Sequence, residues 1–257
     1  MLLEFKNIGY TRGGRDILKG VTWSLRERAH AVLLGPNGSG KTTLLSMLNG
    51  MAAPSRGSLI CFGQKYGQSN WNRVKEQIGM VSARVHHFIE PNQPVKWVVL
   101  SGRYAQINFW GEERRDELEE VRELLEAWGI DGYGDEPFGQ ISQGERQRCL
   151  ICRALMAKPR LLILDEPCAG LDPVAREHFL KDIDALAKDI KGPTLLLVTH
   201  HVEEIRGCFQ QALLLSKGRQ IAAGPIGETV TSAPLSEMFG QSVEVEGVAG
   251  NLRLNVG

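Results

Sequence analysis

Apolar and polar positions along the chain follow two rhythms whose order predicts the architecture. Residues 2–5, 21–25 and 31–34 form short apolar or alternating stretches with turn residues between them, Gly13-Gly14 the plainest, and so predict strands. Residues 42–49 predict a helix ended by Gly50, and Pro54, Ser55, Arg56 and Gly57 a turn into a strand over 58–62. A further strand is expected over 78–81. The rhythm then changes. Across residues 112–128, Leu118, Val121, Leu124, Leu125 and Trp128 recur at helical spacing with charges opposite, marking a helix-rich insert. The alternation resumes with a strand over 161–164, a helix over 174–190 and a strand over 194–198. In that helix Phe179, Leu180, Ile183, Leu186 and Ile190 share one side. Val243/Val245 and Leu252/Leu254/Val256, alternating about Gly250-Asn251, predict a small terminal hairpin. Strands and helices in alternation predict an α/β fold whose mostly parallel sheet is covered by helices.

At 257 residues the chain can bury a large core, as one α/β domain or one domain with an inserted subdomain. Lys+Arg and Asp+Glu both number 30, so no net positive field favours nucleic acid, and none is expected as a partner. Glu4 and Lys6 place charges where a signal peptide needs an apolar stretch. The apolar runs 195–198 and 212–215 are far too short to span a bilayer, so the chain is not expected to cross a membrane by itself. The five cysteines, Cys61, Cys149, Cys152, Cys168 and Cys208, lack paired spacing and suit a reducing cytosol. Cys149 and Cys152 form a C-x-x-C, but within residues 146–156, which predict a helix; buried packing is expected rather than metal or redox chemistry.

The chemistry begins at Gly35-Pro36-Asn37-Gly38-Ser39-Gly40-Lys41-Thr42, between an apolar strand and a helix, the order and spacing of a phosphate-binding P-loop. Its glycines let successive N–H groups turn inward around an anion, and the helix N-terminus adds its positive dipole end. Lys41 supplies a point charge for the β- and γ-phosphates, and Thr42 can ligate Mg²⁺. A nucleoside triphosphate is therefore the expected ligand. The strand at 161–164 ends in Asp165-Glu166, and strand C-terminal ends are where parallel-sheet proteins hold ligands. Asp165 is expected to hold Mg²⁺ through water, leaving Glu166 to orient and polarise the attacking water. His86-His87 and Glu203-Glu204 are adjacent pairs whose members would not face one another, so solvated surface is expected for both.

Ile141-Ser142-Gln143-Gly144-Glu145-Arg146-Gln147 lies upstream of the carboxylates, Ala169-Gly170-Leu171-Asp172 downstream, and His200 after the next strand. With these motifs in order over residues 2–224, the chain resembles the ATP-binding subunit of ABC transporters. The resemblance implies a P-loop ATPase fold with an N-terminal antiparallel β subdomain and an inserted helical subdomain. It implies one domain over 1–257: catalytic core over 1–82 and 141–225, helical subdomain over 83–140 and a C-terminal extension over 226–257. ATP and Mg²⁺ are the implied cofactors, with Gly35, Pro36, Asn37, Gly38, Ser39, Gly40, Lys41, Thr42 and Thr43 on the phosphates and Tyr10 stacked on adenine. Ser142, Gln143, Gly144 and Glu145 would meet the γ-phosphate held by a second copy, in a head-to-tail homodimer around two ATP. Asp172 matches the motif that follows the carboxylates, and His200 the histidine that reports loss of the γ-phosphate. His201, beside it, is expected to point elsewhere.

The sequence departs from the family in places. Gln143 stands where glycine is frequent, Glu145 where Gln is frequent, and Ala83 where a Gln usually reaches the Mg²⁺. A methyl group cannot ligate a metal; Ser82, a water or neither takes its place. The implied partner is a separate integral membrane permease, docked on the helical subdomain, with the chain peripheral on the inner, cytoplasmic face of the membrane. The sequence looks most like the metal-chelate, molybdate-type and photorepair-like branch, which suggests import of a metal chelate or oxyanion. A soluble ABC ATPase with a regulatory or repair role is the alternative.

Overall fold

A computed structural model describes residues 1–82 and 85–257. In chain order its elements begin with strands β1 (Leu3–Arg12), β2 (Arg15–Leu25) and β3 (Ala31–Leu34), and helix α1 (Lys41–Leu48). Strands β4 (Arg56–Cys61) and β5 (Gln64–Lys65), helix α2 (Trp71–Lys75) and strand β6 (Ile78–Ser82) follow. Helices α3 (Val95–Ser101), α4 (Arg115–Ala127) and α5 (Gln143–Met156) lead to strand β7 (Leu161–Asp165), helix α6 (Pro173–Lys188) and strand β8 (Thr194–Thr199). The chain ends with β9 (Gln211–Ser216), β10 (Arg219–Pro225), α7 (Ile226–Thr229), α8 (Ser232–Phe239), β11 (Val243–Glu246) and β12 (Arg253–Val256).

Two compact units divide these elements. The first joins Met1–Lys75 to Thr194–Gly257. It contains an antiparallel sheet in the order β2-β1-β4-β5, which buries Leu3 and Phe5 of β1 and Val21, Trp23 and Leu25 of β2 by alternation, with Ile8 and Leu18 brought to the same interior by register shifts along the pair. It also holds β3 in parallel register between β8 and β9, with Leu34 beside Thr199 on one side and Leu214 on the other. All four β3 residues are buried, the continuous apolar run expected of a parallel strand covered on both faces. β10 closes on β9 antiparallel, and β11 pairs with β12 as the expected terminal hairpin.

The second unit covers Glu76–Pro193. Its strands β6 and β7 pair in parallel, with Ile78 beside Leu161 and Ser82 beside Asp165. Helices α3, α4 and α5 pack on one another. On α4, Val121 and Leu125 are buried, with Trp128 just past its end. One position departs from the expected pattern. Ile190 is 84% exposed, because α6 ends at Lys188 and Asp189 is extended, so the helical periodicity stops before it. Among the described residues no helix is long and apolar enough to cross a membrane.

Candidate active site

The phosphate loop leaves β3 at its buried C-terminal end and enters α1 through Gly40, whose φ of 110° is a left-handed conformation that favours glycine. Gly38 shares it, at φ 76°. α1 has no side-chain cap, so the N–H groups of its first turn remain for an anion. The Ser39 N–H turns back onto the Pro36 carbonyl at 3.1 Å. A β-carbon at Gly35 would collide with the Leu215 carbonyl oxygen and stand 2.7 Å from the Ser39 Oγ, so the loop lies flat on backbone. The Ser39 Oγ is buried with no hydrogen-bond partner among the described residues. Lys41 is 7% exposed and its Nζ donates to the Gly35 carbonyl at 2.5 Å, folding the ammonium over the loop. Left-handed glycines, an orphaned buried hydroxyl, an uncapped helix start and an inturned ammonium together fit a polyphosphate. Asn37 and Thr42 are exposed and Pro36 and Thr43 half-buried.

Two neighbouring segments of the same unit frame the loop. Tyr10, half-exposed on β1, lies opposite Leu18 of β2. A β-carbon at Gly40 would stand 2.7 Å from the Leu18 Cδ2, so the strand pair that carries Tyr10 abuts the loop. At the end of β8, the Gly35 N–H donates to the Thr199 carbonyl at 3.3 Å. The Thr199 hydroxyl accepts from the His201 N–H at 3.1 Å and donates to the Glu204 carboxylate at 2.6 Å. That pair of bonds sets the turn in which half-buried His200 sits.

Glu204 therefore does not lie on solvated surface. It is 3% exposed, its carboxylate satisfied by Thr199, a local partner that spacing alone does not reveal. His201 does not point away either, since its ring centroid lies 3.9 Å from that of His200. The two residues follow the strand, so strand alternation no longer separates them.

In the second unit, β7 carries Asp165 to its end, and Ser82, the last residue of β6, places its Oγ 3.4 Å from the Asp165 Oδ2. Glu166 follows at φ 49°, unusual for a residue with a side chain and typical of backbone held by its surroundings at a functional turn. Ser142 caps α5 in a reciprocal box: its hydroxyl accepts from the Glu145 N–H and its own N–H donates to the Glu145 carboxylate at 2.6 Å. Burial pushes the Glu145 pKa up, but the Tyr133 hydroxyl and the Ser142 donors outweigh it and hold the carboxyl below its ordinary value. Gln143 and Gly144 open the helix behind this cap, and a β-carbon at Gly144 would meet nothing closer than 3.9 Å. Asp172 caps α6, its Oδ1 accepting from the N–H groups of Val174 and Ala175 at 2.8 and 2.9 Å, with Pro173 at the first helical position.

His86 also departs from expectation. It is half-buried, its Nε2 3.3 Å from the Gln147 Oε1 and its ring edge-on to Phe138. Burial first, then the charges of Arg146 and His87, lower its pKa against the opposing Gln147 contact. The contact joins positions 61 residues apart, beyond the reach of local pattern. Cys149 and Cys152 are buried as expected, and burial pushes both thiols up, away from metal-binding thiolates. Ala83, the position at which the resemblance leads one to expect a Gln, lies outside the described residues.

Ser82 and Asp165, side by side at the ends of β6 and β7, offer hard oxygen donors of the kind that suit Mg²⁺, which keeps several waters and takes few protein ligands. Among the described residues no cluster of three or more His, Cys, Asp or Glu offers a softer metal site.

A sequence profile described as ABC transporter matches residues 18–169. The chain is 40% identical over 246 residues to the ABC transporter ATP-binding protein YlmA of Bacillus subtilis (strain 168), covering 95% of this chain and 93% of that one. It is 32% identical over 217 residues to a "Probable metal transport system ATP-binding protein" of Chlamydia trachomatis, covering 84% and 88%. Among solved structures, CbiO1 of Clostridium perfringens, part of the ABC transporter complex CbiONQ, superposes with a TM-score of 0.79 at 25% identity, over 92% of this chain and 93% of that one. The chain thus belongs to the ABC transporter family, as one of its ATP-binding, ATP-hydrolysing subunits.

Proposed function

We propose that two copies of this chain close head to tail around two ATP molecules and power a separate membrane permease. The observation that carries the reading is the pairing of two kinds of helix start. In one unit, uncapped α1 receives the phosphates with Gly35, Pro36, Asn37, Gly38, Ser39, Gly40, Lys41, Thr42 and Thr43. In the other, α5 begins beside Gly144, where a β-carbon would meet nothing closer than 3.9 Å among the described residues, which leaves room for a partner's nucleotide. Ser142, Gln143, Gly144 and Glu145 make that second contact, and Asp172 rigidifies the adjacent segment by capping α6.

Within this reading, Thr42 and Asp165 would hold Mg²⁺, Asp165 through water. The ion, when bound, neutralises charge on the β- and γ-phosphates. Glu166 orients the attacking water and takes its proton; His200 donates a hydrogen bond to the γ-phosphate; Lys41 balances the charge that develops on leaving. Tyr10 offers a flat surface to adenine. Hydrolysis removes the γ-phosphate contacts, and the dimer reopens. Inverting a two-state population from 1:99 to 99:1 needs about 5.5 kcal/mol of differential binding, within reach of two sites with several charge-assisted contacts each.

The permease docks on the helical subdomain, residues 83–140, with residues 226–257 as an extension of the core, and the chain works peripherally at the cytoplasmic face. A metal chelate or an oxyanion is the proposed import cargo, supported on the metal side by the chlamydial relative's name. Purification of the tagged chain from native membranes in mild detergent tests the partnership. Retention of a multi-span protein in stoichiometric amount supports it, and a chain found wholly in the soluble fraction would point to a permease-free role.

A further inference from the structure

We propose that the two-residue turn between β9 and β10, Lys217-Gly218, is a clip that pre-sets the phosphate loop, with Gly218 as its positioning residue. The inference rests on the reading of residues 35–43 as the triphosphate site.

β9 ends at Ser216 and β10 begins at Arg219, so only two residues connect them. Their φ angles, 48° at Lys217 and 78° at Gly218, are both left-handed, the geometry of a tight hairpin turn that suits the twist of the flanking strands. The turn then bonds outward in two directions. Its Gly218 N–H donates to the Ser39 carbonyl at 2.9 Å, and its Gly218 carbonyl accepts from the Lys19 N–H of β2 at 2.8 Å. Gly218 is needed twice over, because a β-carbon there would also collide with the Ile17 carbonyl oxygen.

The consequence for phosphate binding follows from peptide geometry. Across a trans peptide the carbonyl of one residue and the N–H of the next point in opposite directions. Holding the Ser39 carbonyl against Gly218 therefore turns the Gly40 N–H away from the clip. Gly40 leads into α1, and a β-carbon there would stand 2.7 Å from the Leu18 Cδ2 and 3.8 Å from the Gly218 Cα, so strand β2 and the clip press on the same side of it. A loop whose peptide planes are fixed before the ligand arrives loses less conformational freedom on binding. The clip thus acts on nucleotide affinity through the loop and touches no reacting atom.

The chain supplies its own control. The Phe62-Gly63 turn between β4 and β5 also has two residues, with φ angles of 51° and 74°, yet a β-carbon at Gly63 meets nothing within 4 Å. Asn tolerates the left-handed region, so Gly218→Asn and Gly63→Asn impose similar backbone strain and differ in the collision and the clip. Fluorescent-ATP titration, steady-state ATPase assays and thermal unfolding of both variants and of Lys41→Ala form the test. Gly218→Asn should weaken ATP binding and raise KM by about tenfold, or about 1.4 kcal/mol, with kcat at saturation reduced less than about threefold. Gly63→Asn should bind ATP as the unmodified chain does. Folded Gly218→Asn that binds normally while Lys41→Ala loses ATP overturns the clip alone; normal binding in both overturns the reading of the loop. Should Gly218→Asn fail to fold, hydrogen exchange on the unmodified chain decides. The Gly218 amide should slow further on saturation with ATP, and an exchange rate indifferent to ATP overturns the proposal.

Discussion

Ser82 and Asp165 end adjacent parallel strands in register, and the Ser82 Oγ lies 3.4 Å from the Asp165 Oδ2. Ser82 is only 5% exposed, so this contact at the long end of hydrogen-bond range is sheltered from solvent. The serine stands one residue before Ala83, the position where the family resemblance leads one to expect a metal-contacting Gln, and it presents a hydroxyl beside the carboxylate proposed to hold Mg²⁺. Ser82→Ala should raise the Mg²⁺ concentration for half-maximal ATPase activity by roughly three- to tenfold, the scale of a lost neighbour to a metal ligand. Magnesium titration at saturating ATP measures this, and an unchanged requirement would remove Ser82 from the metal's surroundings.

Glu166→Gln should keep ATP binding while slowing hydrolysis by about 10²–10⁴-fold, the scale of a lost general base. Single-turnover assays separate the two quantities. Turnover at the unmodified rate would place the base elsewhere.

The capping box of α5 makes a prediction about acid. The Glu145 carboxyl lies below its ordinary 4.5 in the fold, because the Tyr133 and Ser142 donors outweigh the effect of burial. With the folded pKa depressed, its contribution is complete above about pH 4.5 and is lost as pH falls through the lower folded value. Glu145→Gln, whose amide oxygen can still accept from the Ser142 N–H and does not titrate in this range, should show a flatter fall in melting temperature between about pH 5 and pH 3. An acid profile with the unmodified slope would mean that Glu145 is not the titrating group.

Cys61, Cys149, Cys152 and Cys168 are buried and Cys208 is partly exposed. A thiol reagent applied to the native chain at pH 8 should therefore modify Cys208 first, with the other four reacting only after denaturation. Rapid modification of Cys149 or Cys152 would contradict the packing role and reopen a redox one.

How much of this was legible in the sequence depended on whether the deciding partner was local. The phosphate loop could be read because its chemistry is local: strand, glycines, lysine and helix follow one another, and β3 covers the four positions its apolar run suggested. Ser142 and Glu145 also stand at capping-box spacing, a local signal that a reading centred on the γ-phosphate passes over. β1 and β2 run well past their apolar stretches because hairpin pairing, not local composition, extends them from Leu3↔Leu25 to Arg12↔Arg15. Ile190 kept the helical period after the backbone had left the helix. Spacing puts Glu204 and His86 on the surface, whereas they pack against partners that periodicity does not count: Thr199 through a turn, Gln147 through the fold. The Gly218 clip was invisible for the same reason, its partners Lys19 and Ser39 being far along the chain.

In the proposed cycle one triphosphate is gripped by two copies of this chain. Light scattering on Glu166→Gln, which should hold ATP while hydrolysing it slowly, measures it directly. Saturating ATP with Mg²⁺ should double the particle mass from one chain to two, ADP should leave one, and adding Ser142→Arg to the same chain should abolish the doubling. A single-chain mass at saturating ATP, with bound nucleotide confirmed, would contradict the account.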